Sequence, residues 1–549
     1  MFRLLFFLIY ELISVFSLNK SAYIALYQKN IDVLENKLLD ISNPLSNNYG
    51  KWMTKKEISE IVNPPVEDQI KVIKWLRENH VEDIKNFGDS IHISADKDIL
   101  KRVFKINNSY SSHLFNYSIP KSLKNIIEFI EMDSKHVTKD LKKNVNSKTA
   151  DDRFFGRESL LHLYNVSEFS SNDGVSGASI EYQHSGGFLS TDLILQQQNN
   201  SQKINNKTQL KGDNTGVSVE SQLDIQLMSQ SGNGINLWFW ESSKWLYSFA
   251  TDFFNTDIVP DIISMSWGWA EDRQCDIIDC QNITSQQYVN RVNNEYLKIT
   301  LRGVTIVVSS GDAGAPGRTN ELCDTERPIN PVFPGSSPYI LSVGATFVPN
   351  DNSTLNFTSP LCMDNNCITS INEKSIQYDD VKWTAGGGFD LYQNNTPPWQ
   401  YKSVNNYLNS GIKLPNTSNF NINGRAYPDV SAIGHSCPTF IDGLLGGVDG
   451  TSCSSPVVAG LLSYVNKWLL DNKKTKAGFI NPLLYYLQDN CENCFRDITD
   501  GYNWCTEDQC CDNKTDYGFS AAKGYDPVSG LGTLNIGSIL DYLEQTLYV

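Results

Sequence analysis

The sequence predicts an α/β fold in which a largely parallel sheet is covered by helices on both faces. Three apolar runs, at 258–267, 304–308 and 339–343, are each bounded by Gly, Ser or Pro. Runs of β-branched residues without polar alternation are typical of strands that are buried on both faces. Helical patterns alternate with these runs, as expected of crossover connections. This texture begins near Phe154 and predicts one domain over residues 151–549.

Residues 18–150 predict a separate, small α+β domain. The segment is rich in Lys, Ile, Asn and Asp, and it contains no cysteine. Helical patterns over 31–41 and 65–79 precede a strand pattern over 90–94. Residues 133–152 are rich in Lys and Asp with almost no apolar pattern, which is typical of an exposed linker. Because such a linker is open to proteases, we expect the front domain to be a removable pro-segment.

Residues 1–17 predict a signal peptide. Met1-Phe-Arg3 forms a short basic start, and the apolar stretch 4–10 forms the core. A signal anchor is the alternative, but this run is far shorter than the ~20 residues needed to cross a bilayer. No later stretch is long enough, so we expect no stable membrane insertion after signal removal.

The net charge and the cysteine content limit which cellular compartment and which binding partners are expected. The formal net charge is −16, which argues against nucleic acid as a partner and is compatible with work at acidic pH. All twelve cysteines lie after residue 270, which favours disulfides formed in an oxidising compartment. Asn-X-Ser/Thr sequons agree with secretion and predict glycosylation. They begin at Asn19, Asn107, Asn116, Asn165, Asn199, Asn206, Asn282, Asn352, Asn356, Asn394, Asn416 and Asn513.

The cysteine spacings predict local loop closures without fixing the overall connectivity. The pairs Cys275/Cys280 and Cys362/Cys367 are each spaced for a small closed loop. A zinc site is the alternative for Cys491-X-X-Cys494. Disulfides are favoured because no second Cys/His pair has matching spacing.

A strand, a tight turn and a helix are predicted around Ser452. The glycine-rich stretch 443–449 leads into Gly450, and the apolar run 457–465 follows as a buried helix. A serine at a helix N-terminus lies where backbone amides and the helix dipole favour developing negative charge. That position suits a nucleophile that attacks a carbonyl carbon. The alternative is an ordinary Ser or Thr helix cap.

Two carboxylates are predicted one turn apart on a single helix face. Glu220 and Asp224 are four residues apart within a helical pattern over 217–228, and no Lys or Arg partner is near. Two carboxylates this close tend to share a proton. The alternative is a solvated acidic face. The apolar residues of this helix that we expect to be buried are Val217, Leu223, Ile225, Leu227 and Met228.

Asp312 is predicted to face a site at the end of a buried strand. It follows the run 304–308 in a glycine-flanked loop. Catalytic groups of open α/β sheets collect at such strand ends. A plain Asx turn is the alternative.

Taken in order, these motifs resemble the sedolisins, the serine-carboxyl peptidases. The resemblance covers nearly the whole chain after the signal, and the front stretch 43–52 resembles the propeptide motif of the family. The motifs that carry it in the large domain are Glu220-X-X-X-Asp224, Ser310-Gly-Asp312-X-Gly, Phe333-Pro-Gly-Ser-Ser-Pro-Tyr339, Ala385-Gly-Gly-Gly-Phe389, Gly424-Arg-Ala-Tyr-Pro-Asp429 and Gly450-Thr-Ser452-X-X-X-Pro456.

The resemblance implies a subtilisin-like fold and assigns the catalytic roles. Ser452 is then the nucleophile, Glu220 its general base and Asp224 the residue that orients Glu220. Asp312 serves the oxyanion hole in its protonated form. A carboxylate base suits low pH, because histidine would be protonated there and unable to accept a proton.

A conventional Ser-His-Asp enzyme is the competing interpretation, but no histidine has a supporting motif. Three histidines, His162, His184 and His435, remain outside the pro-segment. The others, His80, His92, His113 and His136, lie within it and would be lost with it.

The resemblance also implies one structural calcium ion near the C-terminus. Two carboxylates with backbone carbonyls and water form a suitable set of hard oxygen ligands. The matching positions are Asp497, Ile498, Ala522, Gly524 and Asp526. The chain departs from the family pattern at Ala522, where relatives have glycine, and at Asp449, where they have a small residue. Asp449 lies so close to the nucleophile that it is expected to influence the pH optimum.

Three functions remain in view. The first is an acid serine-carboxyl exopeptidase, made as a zymogen, that releases tripeptides from free N-termini in a lysosome-like compartment or outside the cell. The second is an endopeptidase with the same catalytic residues. The third is a non-catalytic secreted binding protein, which the four filled catalytic positions argue against. For the enzymes, the expected partners are peptides and unfolded proteins as substrates, with the prodomain as inhibitor and folding aid.

Overall fold

The computed structural model describes residues 20–106, 117–132, 134, 154–167, 171–205, 207–281, 283–324, 329–349, 371–511 and 516–547. The signal peptide, nearly all of the linker, His113, His136 and the pair Cys362/Cys367 lie outside the described residues. The same holds for the sequons at Asn19, Asn107, Asn116, Asn206, Asn282, Asn352, Asn356 and Asn513.

The front domain is a four-stranded antiparallel sheet with four helices, in the strand order β2-β3-β1-β4. The predicted helices 31–41 and 65–79 and the predicted strand 90–94 are present within two residues of the expected ends. The elements are β1 Lys20–Leu26, α1 Ile31–Ser42, α2 Lys55–Val62, α3 Val66–Glu78, β2 Asp83–Asn86, β3 Ser90–Ala95, α4 Lys97–Phe104 and β4 Ile127–Glu131.

The large domain alternates strands and helices. Its elements from residue 157 to 309 are α5 Arg157–Leu163, β5 Ser176–Tyr182, α6 Ser190–Asn199, β6 Gln209–Lys211, α7 Val219–Ser231, β7 Asn236–Ser242, α8 Leu246–Asn255, β8 Ile262–Met265, β9 Trp269–Ala270, α9 Ser285–Leu301 and β10 Thr305–Ser309. Its later elements are β11 Val332–Phe333, β12 Leu341–Phe347, β13 Lys374–Ser375, α10 Tyr378–Val381, β14 Gly388–Phe389, α11 Tyr401–Leu408, β15 Ala426–Tyr427, β16 Val430–Ile433, β17 Cys437–Ile441, β18 Leu444–Val448, α12 Thr451–Asp471, α13 Asn481–Asn490, β19 Phe495–Arg496, β20 Thr533–Leu534 and α14 Ile536–Tyr542.

A ten-stranded sheet forms the centre of this domain, in the order β19-β20-β16-β12-β10-β8-β5-β7-β6 with β13 beside β12. The pairings from β20 to β6 are parallel, and β13 and β19 pair antiparallel. The three apolar runs of the sequence form β8, β10 and β12, which are neighbours at its centre. This confirms the predicted α/β class.

Helices cover both faces of the sheet, as the unbroken apolar runs predict. In β10, Val307 belongs to the core beneath α7 and α12, whereas Ile306 and Val308 belong to the core beneath α8 and α9. Adjacent residues of a strand point to opposite faces, so both faces of a central strand need apolar side chains.

The front domain sits on the α8 and α9 side of the large domain. Tyr23, Ala25 and Phe129 join the core of α8 and α9, while Ile24 lies in the front domain's own core. The front sheet is therefore buried on both faces.

Two cations of α9 enter the underside of the front domain. Arg291, which is 1% exposed, donates to the Leu26 carbonyl at 2.6 Å, to the Asp89 carbonyl at 2.9 Å and to Glu128 at 2.7 Å. Lys298 lies 2.6 Å from Asp89 and is fully buried. Removing one member of such a buried pair is costly, since it leaves an uncompensated charge.

Disulfides cross-link the large domain where its loops meet. Cys275–Cys280 confirms one expected loop closure, and Cys491–Cys494 is also a disulfide, which rules out the zinc alternative for that pair. The other bonds in the described part of the chain are Cys323–Cys511, Cys437–Cys453 and Cys505–Cys510. Within the same ranges, no helix is both long and apolar enough to cross a membrane.

Candidate active site

Ser452 lies in the first turn of α12, directly after a tight turn. The helix begins at Thr451, and its N-cap is Gly450, with φ 147 and ψ 160 and no capping side chain. The alternative in which Ser452 is an ordinary cap is therefore wrong. A β-carbon on Gly450 would lie 3.3 Å from Oδ2 of Asp312, so glycine admits a carboxyl group against the turn.

Asp312 is fixed to the turn Gly450–Ser452, which we call the nucleophile turn after the role predicted for Ser452. Its Oδ1 accepts hydrogen bonds from the Thr451 N–H at 2.7 Å and from the Thr451 hydroxyl at 2.6 Å. The same hydroxyl oxygen accepts the Gly311 N–H at 3.2 Å. These contacts leave Oδ2 beside Gly450 and join segments that are 139 residues apart in the chain. The carboxyl group therefore reaches across to the nucleophile turn, which a plain Asx turn would not require.

Glu220 and Asp224 lie on α7, which is buried from Glu220 to its end at Ser231. Glu220 is 3% exposed and Asp224 is fully buried, so the solvated acidic face is wrong. Val217 is a correction to the expected apolar set, because it is 42% exposed and precedes the helix, which is capped by Ser218.

Small residues allow α7 to pack tightly against α12. A β-carbon on Gly460 would lie 2.0 Å from Oγ of Ser231 and 2.7 Å from the backbone nitrogen of Gly232. The Ser231 hydroxyl also donates to the Pro456 carbonyl at 3.3 Å. The helix that bears the two carboxylates therefore packs directly on the helix that bears Ser452.

Arg318 links the two groups of acids, and the sequence analysis missed it. Burial lowers the pKa of Arg318, but the charges of Glu507, Asp312 and Glu220 outweigh this effect and raise it above its ordinary value. Two of the three predicted catalytic acids, Asp312 and Glu220, thus act on one guanidinium. Arg318 lines a cavity of about 40 Å³. The cavity also has Ser266, Trp269, Asp312, Asn330 and Thr451 in its wall.

Two of the histidines outside the front domain contact carboxylates elsewhere in the structure. His435 Nδ1 lies 3.0 Å from Asp449 Oδ1, and His184 Nδ1 lies 3.5 Å from Glu241. His162 is exposed in the last turn of α5. Asp449, the departure noted in the sequence, is thus engaged with a histidine on the segment after β16.

Comparison with known proteins decides the family. The Pro-kumamolisin activation domain model matches residues 18–134, and the subtilase family model matches residues 165–481. Physarolisin of Physarum polycephalum is 34% identical over 543 residues, which cover 95% of this chain and 93% of that protein. The chain belongs to the sedolisin family.

Other relatives of this sedolisin match with similar coverage. Tripeptidyl-peptidase 1 of Dictyostelium discoideum is 27% identical, across 97% of this chain and 90% of the relative. Human tripeptidyl-peptidase 1 is 26% identical, across 94% and 90%. The solved structure of Pseudomonas sedolisin, a serine-carboxyl proteinase complexed with two molecules of pseudo-iodotyrostatin, aligns with a TM-score of 0.54 at 20% identity and covers 72% of this chain and 99% of that one. The protein is therefore a serine-carboxyl peptidase with a prodomain and the subtilisin-like fold predicted from its motifs.

The five residues expected to hold calcium in this sedolisin lie on two loops that touch. Asp497 Oδ2 accepts the Gly524 N–H, and Asp526 Oδ2 accepts the Ala522 N–H, both at 2.9 Å. The Ser529 hydroxyl reaches both the Ile498 carbonyl, at 3.3 Å, and the Asp526 carboxylate, at 3.2 Å.

The charge balance of these loops fits a cation. Asp526 is fully buried, and burial raises its pKa to about 7. Burial also raises the pKa of Asp497. No group of three or more His, Cys, Asp or Glu side chains suited to a metal occurs among the described residues, so backbone carbonyls have to complete any such site.

Proposed function

We propose that this sedolisin is an acid-active tripeptidyl-peptidase, made as a zymogen, that acts through an acyl-enzyme on Ser452. The observation that carries the proposal is the binding of Asp312 to the Thr451 N–H and hydroxyl, at 2.7 and 2.6 Å. A carboxyl group held there is suited to donate to an oxygen on which negative charge develops beside the first turn of α12. The tripeptidyl specificity is supported by the relatives named tripeptidyl-peptidase 1, which match along nearly the whole chain.

Acylation begins with proton transfer from the Ser452 hydroxyl to Glu220. The serine oxygen then bonds to the scissile carbonyl carbon, and negative charge develops on the carbonyl oxygen. Protonated Asp312 donates a hydrogen bond to that oxygen, and the first-turn amides of α12 add their positive dipole. Glu220 returns its proton to the nitrogen of the leaving amine as the carbon–nitrogen bond breaks. Asp224 orients Glu220 throughout.

Deacylation repeats the sequence with water. Glu220 accepts a proton from water, the hydroxide oxygen bonds to the acyl carbon, and the Ser452 oxygen leaves with the proton from Glu220. A base with the low pKa typical of carboxylates stays ionised in acid, where imidazole is already protonated. A catalytic set without histidine therefore suits an acidic compartment.

Calcium is proposed as one structural ion held by Asp497 and Asp526 with the carbonyls of Ile498, Ala522 and Gly524. When bound, the ion supplies positive charge to the buried Asp526 carboxylate. The role is to tie two loops of the large domain together, and no catalytic step passes through this site.

The proposed route is the secretory pathway, ending in a lysosome or outside the cell. The signal-like start, the sequons and the disulfides support it. The front domain is proposed to assist folding and to inhibit the enzyme until the linker is cut. Its substrates are then peptides and unfolded proteins, with no nucleic acid partner.

The deciding experiment compares two fluorogenic amides on acid-activated protein near pH 4. One is a tripeptidyl amide with a free amine, and the other is the same peptide with a blocked N-terminus. Turnover of the free form alone is expected. Turnover of both would favour the endopeptidase. Turnover of neither, after removal of the front domain has been demonstrated, would leave the non-catalytic binding protein. Ser452→Ala is the matched control and is expected to be inactive.

A further inference from the structure

The hairpin of β17 and β18 lies between the two elements that must meet for catalysis. Its strands pair from Cys437 and Val448 at the open end to Ile441 and Leu444 at the turn. The chain enters it from the central strand β16 and leaves it directly into Gly450. Its position in the chain therefore gives it a direct influence on the nucleophile turn.

A side chain on one face of α7 is hydrogen-bonded to the backbone of the hairpin. The Gln226 side chain donates to the Phe440 carbonyl at 2.8 Å and accepts the Phe440 N–H at 2.9 Å, so both polar groups of one hairpin residue are paired. Gln226 is fully buried. A buried side-chain amide that pairs with both backbone groups of one residue fixes register as well as distance.

The turn of the hairpin is tied to the same helix through Asp192 of α6. The Asp192 carboxylate accepts the N–H groups of Asp442 and Gly443, each at 2.9 Å. The same carboxylate accepts a hydrogen bond from Gln222 of α7 at 2.7 Å. The hairpin is thus attached to α7 at two successive turns of the helix.

The other end of the hairpin is closed by Asp449. Its Oδ1 accepts the Ser436 N–H at 2.8 Å and lies 3.0 Å from His435 Nδ1. Ser436 has a φ of 52°, a conformation that few residues other than glycine adopt without outside support. The Gly450 N–H also donates to the Gly434 carbonyl at 3.0 Å. These contacts fasten the start of the nucleophile turn to the end of β16.

Along α7, the attachments to the hairpin lie nearer to Glu220 than the hydrogen bond between Ser231 and α12 does. Ser231 is eleven residues from Glu220, or roughly 16 Å along the helix, whereas Gln222 and Gln226 are two and six residues from it. The hairpin is therefore attached to α7 near the end that carries the two carboxylates, in addition to the direct packing of α7 on α12.

We propose that this hairpin sets the position of Glu220 relative to Ser452, with Gln226 and Asp449 as positioning residues at its two ends. The inference rests on the proposed roles of Glu220 and Ser452. Proton transfer needs the two oxygens within roughly 2.6–3.2 Å, and a misplacement of about 1 Å costs up to about 100-fold in rate. The structural consequence is a catalytic distance fixed by an element that supplies none of the proposed catalytic residues.

The first test is Gln226→Leu against the matched control Gln230→Leu. Gln230 is also buried on α7, but its partners lie outside the hairpin: it donates to the Phe155 carbonyl at 2.8 Å and accepts from Gln196 at 3.4 Å. Activated enzyme is assayed on the free-amine tripeptidyl amide. Gln226→Leu is expected to lower kcat at least tenfold with KM within twofold of the parent, whereas Gln230→Leu leaves kcat within twofold. Equal losses in the two variants would overturn the proposal.

The second test uses the other end of the hairpin. Asp449→Ala is expected to lower kcat at least fivefold, and Asp449→Asn to restore most of it, because the amide oxygen still accepts the Ser436 N–H. The double variant Gln226→Leu/Asp449→Ala is expected to lose less than the product of the single losses, since both act through one element. The proposal would be overturned if the kcat losses of the two single variants multiplied in the double variant, or if Asp449→Asn were as slow as Asp449→Ala. If Gln226→Leu does not fold, the comparison of Asp449→Ala with Asp449→Asn decides the question by itself.

Ser452→Ala separates this inference from the proposed function. An active Ser452→Ala would overturn the function itself. An inactive Ser452→Ala together with a Gln226→Leu as active as its control would overturn the hairpin's role alone. Loss of activity in His435→Gln comparable to that of Ser452→Ala would overturn the proposed role of Glu220, because it would indicate a histidine base.

Discussion

Replacing Thr451 by valine tests whether Asp312 works from the position that the structure gives it. Valine keeps the shape of the side chain and removes one hydroxyl. That hydroxyl donates to Asp312 at 2.6 Å and accepts the Gly311 N–H at 3.2 Å, so the change removes one of the two hydrogen bonds that orient the carboxyl group and leaves the backbone one, without altering the residues proposed to react.

The magnitude follows from these two contacts. Since Asp312 is proposed to be protonated, the lost hydrogen bond is a neutral one, which contributes about 0.5–1.5 kcal/mol. Because 1.4 kcal/mol corresponds to a factor of ten, a loss of Asp312 orientation of this size lowers kcat roughly 2- to 13-fold. KM is expected to change less than twofold, because Asp312 is proposed to act on charge that develops only in the transition state.

The assay is steady-state turnover of the free-amine tripeptidyl amide near pH 4 by activated Thr451→Val, with Thr451→Ser as the control. Serine retains the hydroxyl and is expected to keep at least a third of the parent kcat. Thermal unfolding of both variants checks that the fold is intact. A folded Thr451→Val with kcat within twofold of the parent would refute this account of Asp312.

Three further predictions concern stability and activation. Burial raises the pKa of Asp279 from its ordinary 3.8 to about 6, so the ionised carboxylate destabilises the folded state. This destabilisation is smallest below about pH 4 and grows as the pH rises through 6. The Tm of Asp279→Asn should therefore fall less than that of the parent between pH 4 and 7, and parallel curves would contradict this. Lys298→Met removes the ammonium group that contacts the buried Asp89 carboxylate, so the front domain should dissociate faster after cleavage in a gel-filtration time course; the control Lys467→Met removes a partly exposed lysine of α12 and should leave the rate unchanged. Chelation by EGTA should lower the Tm of the parent by several degrees and that of Asp526→Asn by much less; equal shifts would argue against the calcium site.

Much of the scaffold was predictable because its signals are local. The runs that became β8, β10 and β12 are apolar on both faces, and a sequence shows that directly. The helix after Ser452 was predictable for the same reason. The error at Val217 is also local, since the apolar pattern continues past Ser218, which in fact caps α7.

What the sequence did not show depends on contacts between distant segments. Arg318 follows Asp312 by six residues in an irregular loop, and only the folded chain brings the charge of Glu220 to it. The disulfide between Cys323 and Cys511 spans 188 residues, a separation that no spacing rule predicts. The burial of Arg291 beneath the front domain has no sequence signal either, because helices commonly carry arginine on their solvent side.

The burial of the front sheet on both faces bears on whether activation can be reversed. While the chain is whole, the side that carries Tyr23, Ala25 and Phe129 is covered by α8 and α9. Once the piece departs, that side becomes a bare apolar patch on a small fragment whose remaining core is confined to the opposite face. We expect such a fragment to unfold readily and to become a substrate of the peptidase that it is proposed to inhibit. Release of the front domain is then expected to be irreversible.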